Sequence, residues 1–119
     1  MSGAVRLLDR IDNGQEPTRE ELKAAVKESL ARLVEIAPGR AVEVRIPPFA
    51  AVQAVEGRAH RRGTPSAVVE TDAVTWLRLV VGRLSWDDAV ATGRLQASGE
   101  RSNLSSLLPV LSDPGGDVD

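Results

Sequence analysis

The sequence predicts an α+β fold: one small mixed or antiparallel sheet covered by helices, gathered mainly on one face. Three observations carry this. Residues 18–37 repeat apolar side chains at helical spacing behind a capping box. Residues 41–46 alternate apolar and polar, as a half-buried strand does. Between residues 66 and 111 a strand, helix, tight turn, helix, strand, glycine turn and final helix follow one another, nearly every boundary marked by a suitable residue.

Residues 1–16 form an N-terminal segment expected to be partly ordered. They mix apolar and charged residues without a clear period, and Asn13-Gly14 is a turn signal. Leu7, Leu8 and Ile11 predict one helical turn docked on the body. The domain itself is expected over 17–111. Thr18 with Glu21 opens its first helix, and Leu22, Ala25, Val26, Leu30, Leu33, Val34 and Ala37 form its apolar stripe. Pro38-Gly39 ends it.

Val42, Val44 and Ile46 then point one way, with Glu43 and Arg45 on a wet face. Pro47-Pro48 is so short a link that the next strand pairs antiparallel with the first. Phe49 to Val55 is apolar on both alternations apart from Gln53, which predicts a central strand covered on both faces. Residues 57–65 read as a polar, basic loop, and 66–71 as a returning strand. Asp72 caps a helix over 73–81 whose only polar members are Thr75 and Arg78, so it is expected to be buried on two sides. Gly82 stops it. Ser85 with Asp88 opens a short helix, with Trp86, Ala89 and Val90 inward, that Gly93 ends. Residues 94–98 make a last strand with Leu95 and Ala97 inward, and Ser102 or Asn103 caps a closing helix carrying Leu104, Leu107, Leu108 and Leu111. Residues 112–119, with Pro114-Gly115-Gly116 and three aspartates, predict a disordered acidic tail.

Composition excludes several functions. At 119 residues the chain is long enough to bury one core, and its apolar fraction of 42% and charged fraction of 27% are those of a soluble globular protein. A net charge of −2 supplies no field for nucleic acid, and with only Phe49, Trp76 and Trp86 as aromatics a base-stacking platform is not expected. Without cysteine there are no disulfides or thiolate chemistry, and one histidine, His60, makes no histidine metal cluster. Neither a secretory signal nor a spanning segment is read, so no integral membrane association is expected and the cytoplasm is the expected location. No cofactor is expected: Gly82, Gly93 and Gly99 are spaced as stops and turns rather than as a phosphate cradle.

The run Asp72, Trp76-Leu77, Leu79, Gly82-Arg83-Leu84, Ala89, Gly93-Arg94-Leu95, Ser98-Gly99 and Leu104 with Leu107-Leu108 resembles the sterol carrier protein family. The stretches Ile46 to Gln53 and Val69 to Asp72 are similar to those of its bacterial members, so the resemblance spans about residues 18–111. It implies a sterol-carrier-like α+β domain. It implies lipid carriage or an accessory role beside an enzyme, since the family includes both. The chain departs from longer members: about fifteen residues, 41–55, hold its first two strands, and a third strand before Ser66 is not obvious. A smaller sheet implies a smaller cavity.

Phe49, Val52, Trp76, Leu77, Val80, Val81, Leu95, Leu104, Leu107 and Leu108 either line a space for an apolar ligand between sheet and helices or fill an ordinary core. Arg83 and Arg101, in turns beside the capped corners, either pair with Glu70 and Asp72 or anchor a ligand headgroup. The basic cluster Arg58 to Gly63 reads as a solvated loop or the greeting surface for an anionic headgroup. No catalytic residues are read: Asp72 has a capping role, and His60 has no nucleophile elbow to serve. The sequence thus predicts non-catalytic binding of a lipid or other apolar small molecule. The alternative is an interaction module or homodimer in which protein covers the second apolar side of the 73–81 helix.

Overall fold

A computed structural model of the chain describes residues 3–57, 67–99 and 102–110. It bears out the α+β class. Helices α1 (Gly3–Asp12) and α2 (Arg19–Ile36) lead into strands β1 (Val42–Ile46), β2 (Ala50–Ala54) and β3 (Ala67–Thr71). Helices α3 (Ala73–Val81) and α4 (Trp86–Ala91), strand β4 (Leu95–Ser98) and a 3-10 turn over Ser105–Leu107 complete it.

The four strands form one mixed sheet in the order β2-β1-β3-β4. β1 and β2 are an antiparallel hairpin, with the Phe49 amide donating to the Ile46 carbonyl (2.9 Å) across the proline link. β1 runs parallel to β3, and β3 antiparallel to β4. One face carries Val42, Val44, Ile46, Val69 and Leu95, all buried beneath the helices. The other carries Glu43, Arg45, Gln53, Glu70 and Gln96 in register and is open. Alternation with period two therefore places the core on one side of the sheet only.

Local chemistry sets the helix ends. The Glu21 amide donates to Thr18 Oγ1 (3.1 Å) and the Thr18 amide donates back to Glu21 Oε1 (2.9 Å), closing the capping box. The Thr75 amide and hydroxyl both donate to the Asp72 carboxylate (3.0 and 2.7 Å), and Gly82 ends α3 at φ +86°. Ser85 Oγ accepts from the Asp88 amide (3.1 Å) at the start of α4.

Several expectations are corrected. The N-terminal turn is a full ten-residue helix, because Ala4, Val5, Leu7 and Leu8, all buried, make a stripe once α2 and α3 are present to receive it. β2 is an edge strand, not a central one. Its two-sided apolar look comes from Ala50 and Ala51, which are too small to demand burial on both faces, and Ala51 is exposed. Val90 faces solvent at 44% exposure. Ala97 is also exposed, because the cover on the other edge strand ends at Leu95, the one buried residue of β4. The closing helix reduces to the 3-10 turn. There Asn103 Oδ1 accepts from the Ser105 amide (2.9 Å), Leu104 enters the core, and Pro109, with no N–H, cannot extend a helix.

The basic cluster 58–63 with His60, Arg101, Leu111 and the acidic tail lie outside the described residues.

Candidate functional site

The apolar layer is built around α3. Of its nine residues, Ala73, Thr75, Trp76, Leu77, Leu79, Val80 and Val81 are buried. Helices α1 and α2 both pack on it. Trp76 is fully buried, and its Nε1–H donates to Ser29 Oγ (2.8 Å) on α2, whose hydroxyl donates to the Val26 carbonyl (2.8 Å). The one polar edge of the indole is thus satisfied inside the core, as a buried tryptophan requires. Among the described residues no buried side-chain polar atom lacks a partner.

The ten candidate lining residues divide into three groups. Trp76, Leu77, Val80, Val81, Leu95 and Leu104 are buried side chains of the core. Phe49 and Val52 are half-buried on the β1–β2 hairpin, where the Arg19 guanidinium sits 5.3 Å from the Phe49 ring centre. Leu107 and Leu108 are half-buried at the 3-10 turn. Among the ten, Leu108 lines a cleft of about 470 Å³ between the end of α3, the start of α4 and the segment through Pro109. Leu79, Leu84 and Trp86 give this cleft an apolar lining, and Arg83 and Asp87 supply charge. Its volume is in the range of small-molecule sites. Phe49 lines a separate cleft of about 400 Å³ with Arg45, the two prolines and Glu70 on the open side of the sheet. Among the described residues, the clefts at Leu108 and at Phe49 are thus separate.

Leu79, Leu84, Trp86 and Pro109 were not singled out by sequence reasoning as lining. The signal was the dense turn Gly82-Arg83-Leu84-Ser85-Trp86, which specifies a sharp corner and so leaves a concave surface beside it.

Arg83 does not pair with Glu70 or Asp72. Its guanidinium meets Asp9 (2.8 Å) and, more distantly, Asp12 (4.0 Å) on α1, while Arg78 holds Asp12 at 2.9 Å. Arg10 of α1 in turn pairs with Glu21 of α2. Glu70 lies half-exposed, 3.9 Å from Arg45. Asp72 is taken up by its capping bonds, and among the described residues no cluster of three metal-ligating side chains occurs.

These pairs shift two carboxylates. The hydrogen bond from Arg78, with the charges of Arg78 and Arg83, holds Asp12 below its ordinary value. The Thr18 amide, then Arg10, does the same for Glu21. A carboxylate held low in the folded chain binds fewer protons there than in the unfolded chain. Its contribution is in place above the ordinary carboxylate pKa of about 4 and is lost as pH falls through the depressed value. The protection of residues 4–12 against hydrogen exchange, taken relative to the intrinsic rate at each pH, should therefore fall below about pH 4. The Asp12→Asn chain should already exchange faster at neutral pH and lose part of that acid response; an unchanged acid response would remove Asp12 as its source.

The comparisons with known proteins agree with the architecture. A family model described as bacterial SCP ortholog matches residues 18–110. Among curated proteins none matches the chain. The matched stretch takes in α2, the sheet, α3, α4 and the cleft, and leaves α1 outside it. No helix among the described residues is long and apolar enough to cross a membrane.

Proposed function

The chain belongs to the bacterial SCP ortholog family, that is, to the sterol-carrier-like proteins, and from that membership we propose that it binds a lipid or another apolar small molecule without catalysing a reaction. The observation that carries the proposal is the cleft of about 470 Å³ at the end of α3, lined by Leu79, Leu84, Trp86 and Leu108 and continuous with the apolar layer around Trp76. A ligand larger than this cleft has to displace apolar side chains that now fill the layer around α3. A cytoplasmic setting belongs to the same proposal, supported by a chain without cysteine.

Titration with a fluorescently labelled stearic acid, followed by probe emission, tryptophan quenching and native mass spectrometry, tests this. The expected result is saturable binding of one probe per chain. Leu108→Gln should weaken it about tenfold, the scale of one lost apolar contact, while Val90→Gln, on the exposed side of α4, should leave it unchanged. Absence of saturable binding, or equal loss in both variants, rejects the reading.

That α1 packs on α3 supports this reading over one in which a second protein covers the helix.

A further inference from the structure

The cover over α3 differs in kind from the rest of the core. α1 lies outside the stretch matched by the family, yet it packs against the most apolar helix of the domain. It is joined to α2 by Asn13 to Thr18, mostly exposed, with Gly14 at φ +88° and nothing within 4 Å of where its side chain would be. Its apolar side, Ala4, Val5, Leu7 and Leu8, is as deeply buried as the rest of the core. An open surface groove of about 280 Å³ runs along its seam with α2, lined by Leu7, Ala24 and Ala25 together with the charged Arg6, Arg10 and Glu21. At its C-terminal end α1 is held by ion pairs of Asp9 and Asp12 with Arg83 and Arg78, all partly exposed. Arg83 is also a wall of the cleft at the end of α3. The rim of the cleft and the fastening of α1 are therefore the same residue.

We propose that α1 is a removable cover: an aliphatic chain too long for the cleft continues along α3 in the place of α1, so that ligand occupancy and α1 docking exclude one another. This rests on the ligand-binding reading above and adds its regulation. The physical basis is substitution of like for like. The bed on α3 is apolar and is filled by four small or medium apolar side chains on a tethered helix, and an acyl chain offers it equivalent contacts. If ligand binds only the uncovered state, its apparent dissociation constant is the intrinsic one divided by the uncovered fraction. Exposed ion pairs contribute modestly, so removing both fastenings should shift the docking equilibrium by about tenfold.

The test uses the full chain and labelled stearic acid. Hydrogen exchange of residues 4–12 reports docking, and probe titration reports affinity. The Asp9→Asn/Asp12→Asn chain should exchange across α1 about tenfold faster and bind the probe tighter by a similar factor. Leu8→Ala, which loosens the apolar seam without touching the charges, should move both quantities in the same directions. In the unaltered chain, saturating probe should speed exchange of α1. The proposal is overturned if probe slows α1 exchange, since α1 is then a wall of the site. It is equally overturned if the variants loosen α1 while affinity stays level or falls. Absence of probe binding in every chain, including those with loosened α1, rejects the ligand-binding reading and the cover with it.

Discussion

Replacing Trp76 with alanine is expected to cost about 3–5 kcal/mol of folding stability, the usual range for deleting a fully buried large aromatic, and to leave the domain marginal. The side chain has no exposure and stands where α2 meets α3, so no neighbour can collapse into its place without moving a helix. Its polar edge makes a sharper test. Ser29→Ala removes the acceptor from a buried indole N–H and should cost about 1–3 kcal/mol, the penalty for an orphaned buried donor. Made in a Trp76→Phe background, the same serine change should cost much less, because no indole N–H is left to orphan. A double-mutant cycle by urea unfolding reads this difference as a coupling energy. A coupling near zero would mean that the bond contributes nothing net.

The same α3–α2 contact shows what the sequence made legible. Caps could be read because each is written within four residues: Thr18 with Glu21, Asp72 with Thr75, Ser85 with Asp88. The alternation Val42-Glu43-Val44-Arg45-Ile46 named the covered face of the sheet for the same reason. Where a reading needed a partner far along the chain, it failed or stayed open. The run Phe49 to Val55, apolar on both alternations apart from Gln53, predicts a central strand, yet Ala50 and Ala51 bury too little area to force a second covered face. Residues 1–16 predict only one helical turn because charges such as Asp9, Arg10 and Asp12 mix with the apolar residues without a clear period. Those charges are matched by Arg83, Glu21 and Arg78, which lie between eleven and seventy-four residues away. For the same reason the sequence leaves Arg83 to Glu70, Asp72 or a ligand headgroup, when α1 supplies its ion-pair partners.

The candidate site was legible only as a set of buried residues. Helical and strand periods identify which side chains leave water, and six of the ten candidates did so. They do not distinguish a side chain that meets another side chain from one that meets a void, because both satisfy the same pattern. The cleft at the end of α3 arises from the corner geometry of Gly82 to Trp86 and from Pro109 lying against Gly82, where an added Cβ would meet the proline ring at 3.4 Å. That approach joins residues twenty-seven apart and leaves no local signature.

The largest effect expected of a single added methyl group is at Gly39. This residue lies between α2 and β1 at φ +146°, and a Cβ there would fall 2.2 Å from the Val55 carbonyl oxygen and 2.5 Å from the Glu56 nitrogen. Both are backbone atoms, so no side chain can swing aside. The contact is close because Val55 ties the end of the hairpin to its surroundings: its amide donates to the Ala37 carbonyl (2.7 Å) and its carbonyl accepts from the Ala41 amide (2.9 Å). Val55 is itself held at φ +71°, an unfavourable backbone for a β-branched residue, so the segment has little freedom left to yield. Gly39→Ala must therefore displace it and forfeit one or both bonds, in addition to the cost of an L side chain at positive φ. About 3–5 kcal/mol is expected from those contributions together. Gly14 supplies the control. It also has positive φ (+88°) but nothing within 4 Å, so Gly14→Ala should cost only the backbone term of about 1–2 kcal/mol. Thermal or urea unfolding of the two variants side by side separates backbone conformation from backbone collision. If they lose equal stability, the close approach of residues 39 and 55 is not what requires glycine there.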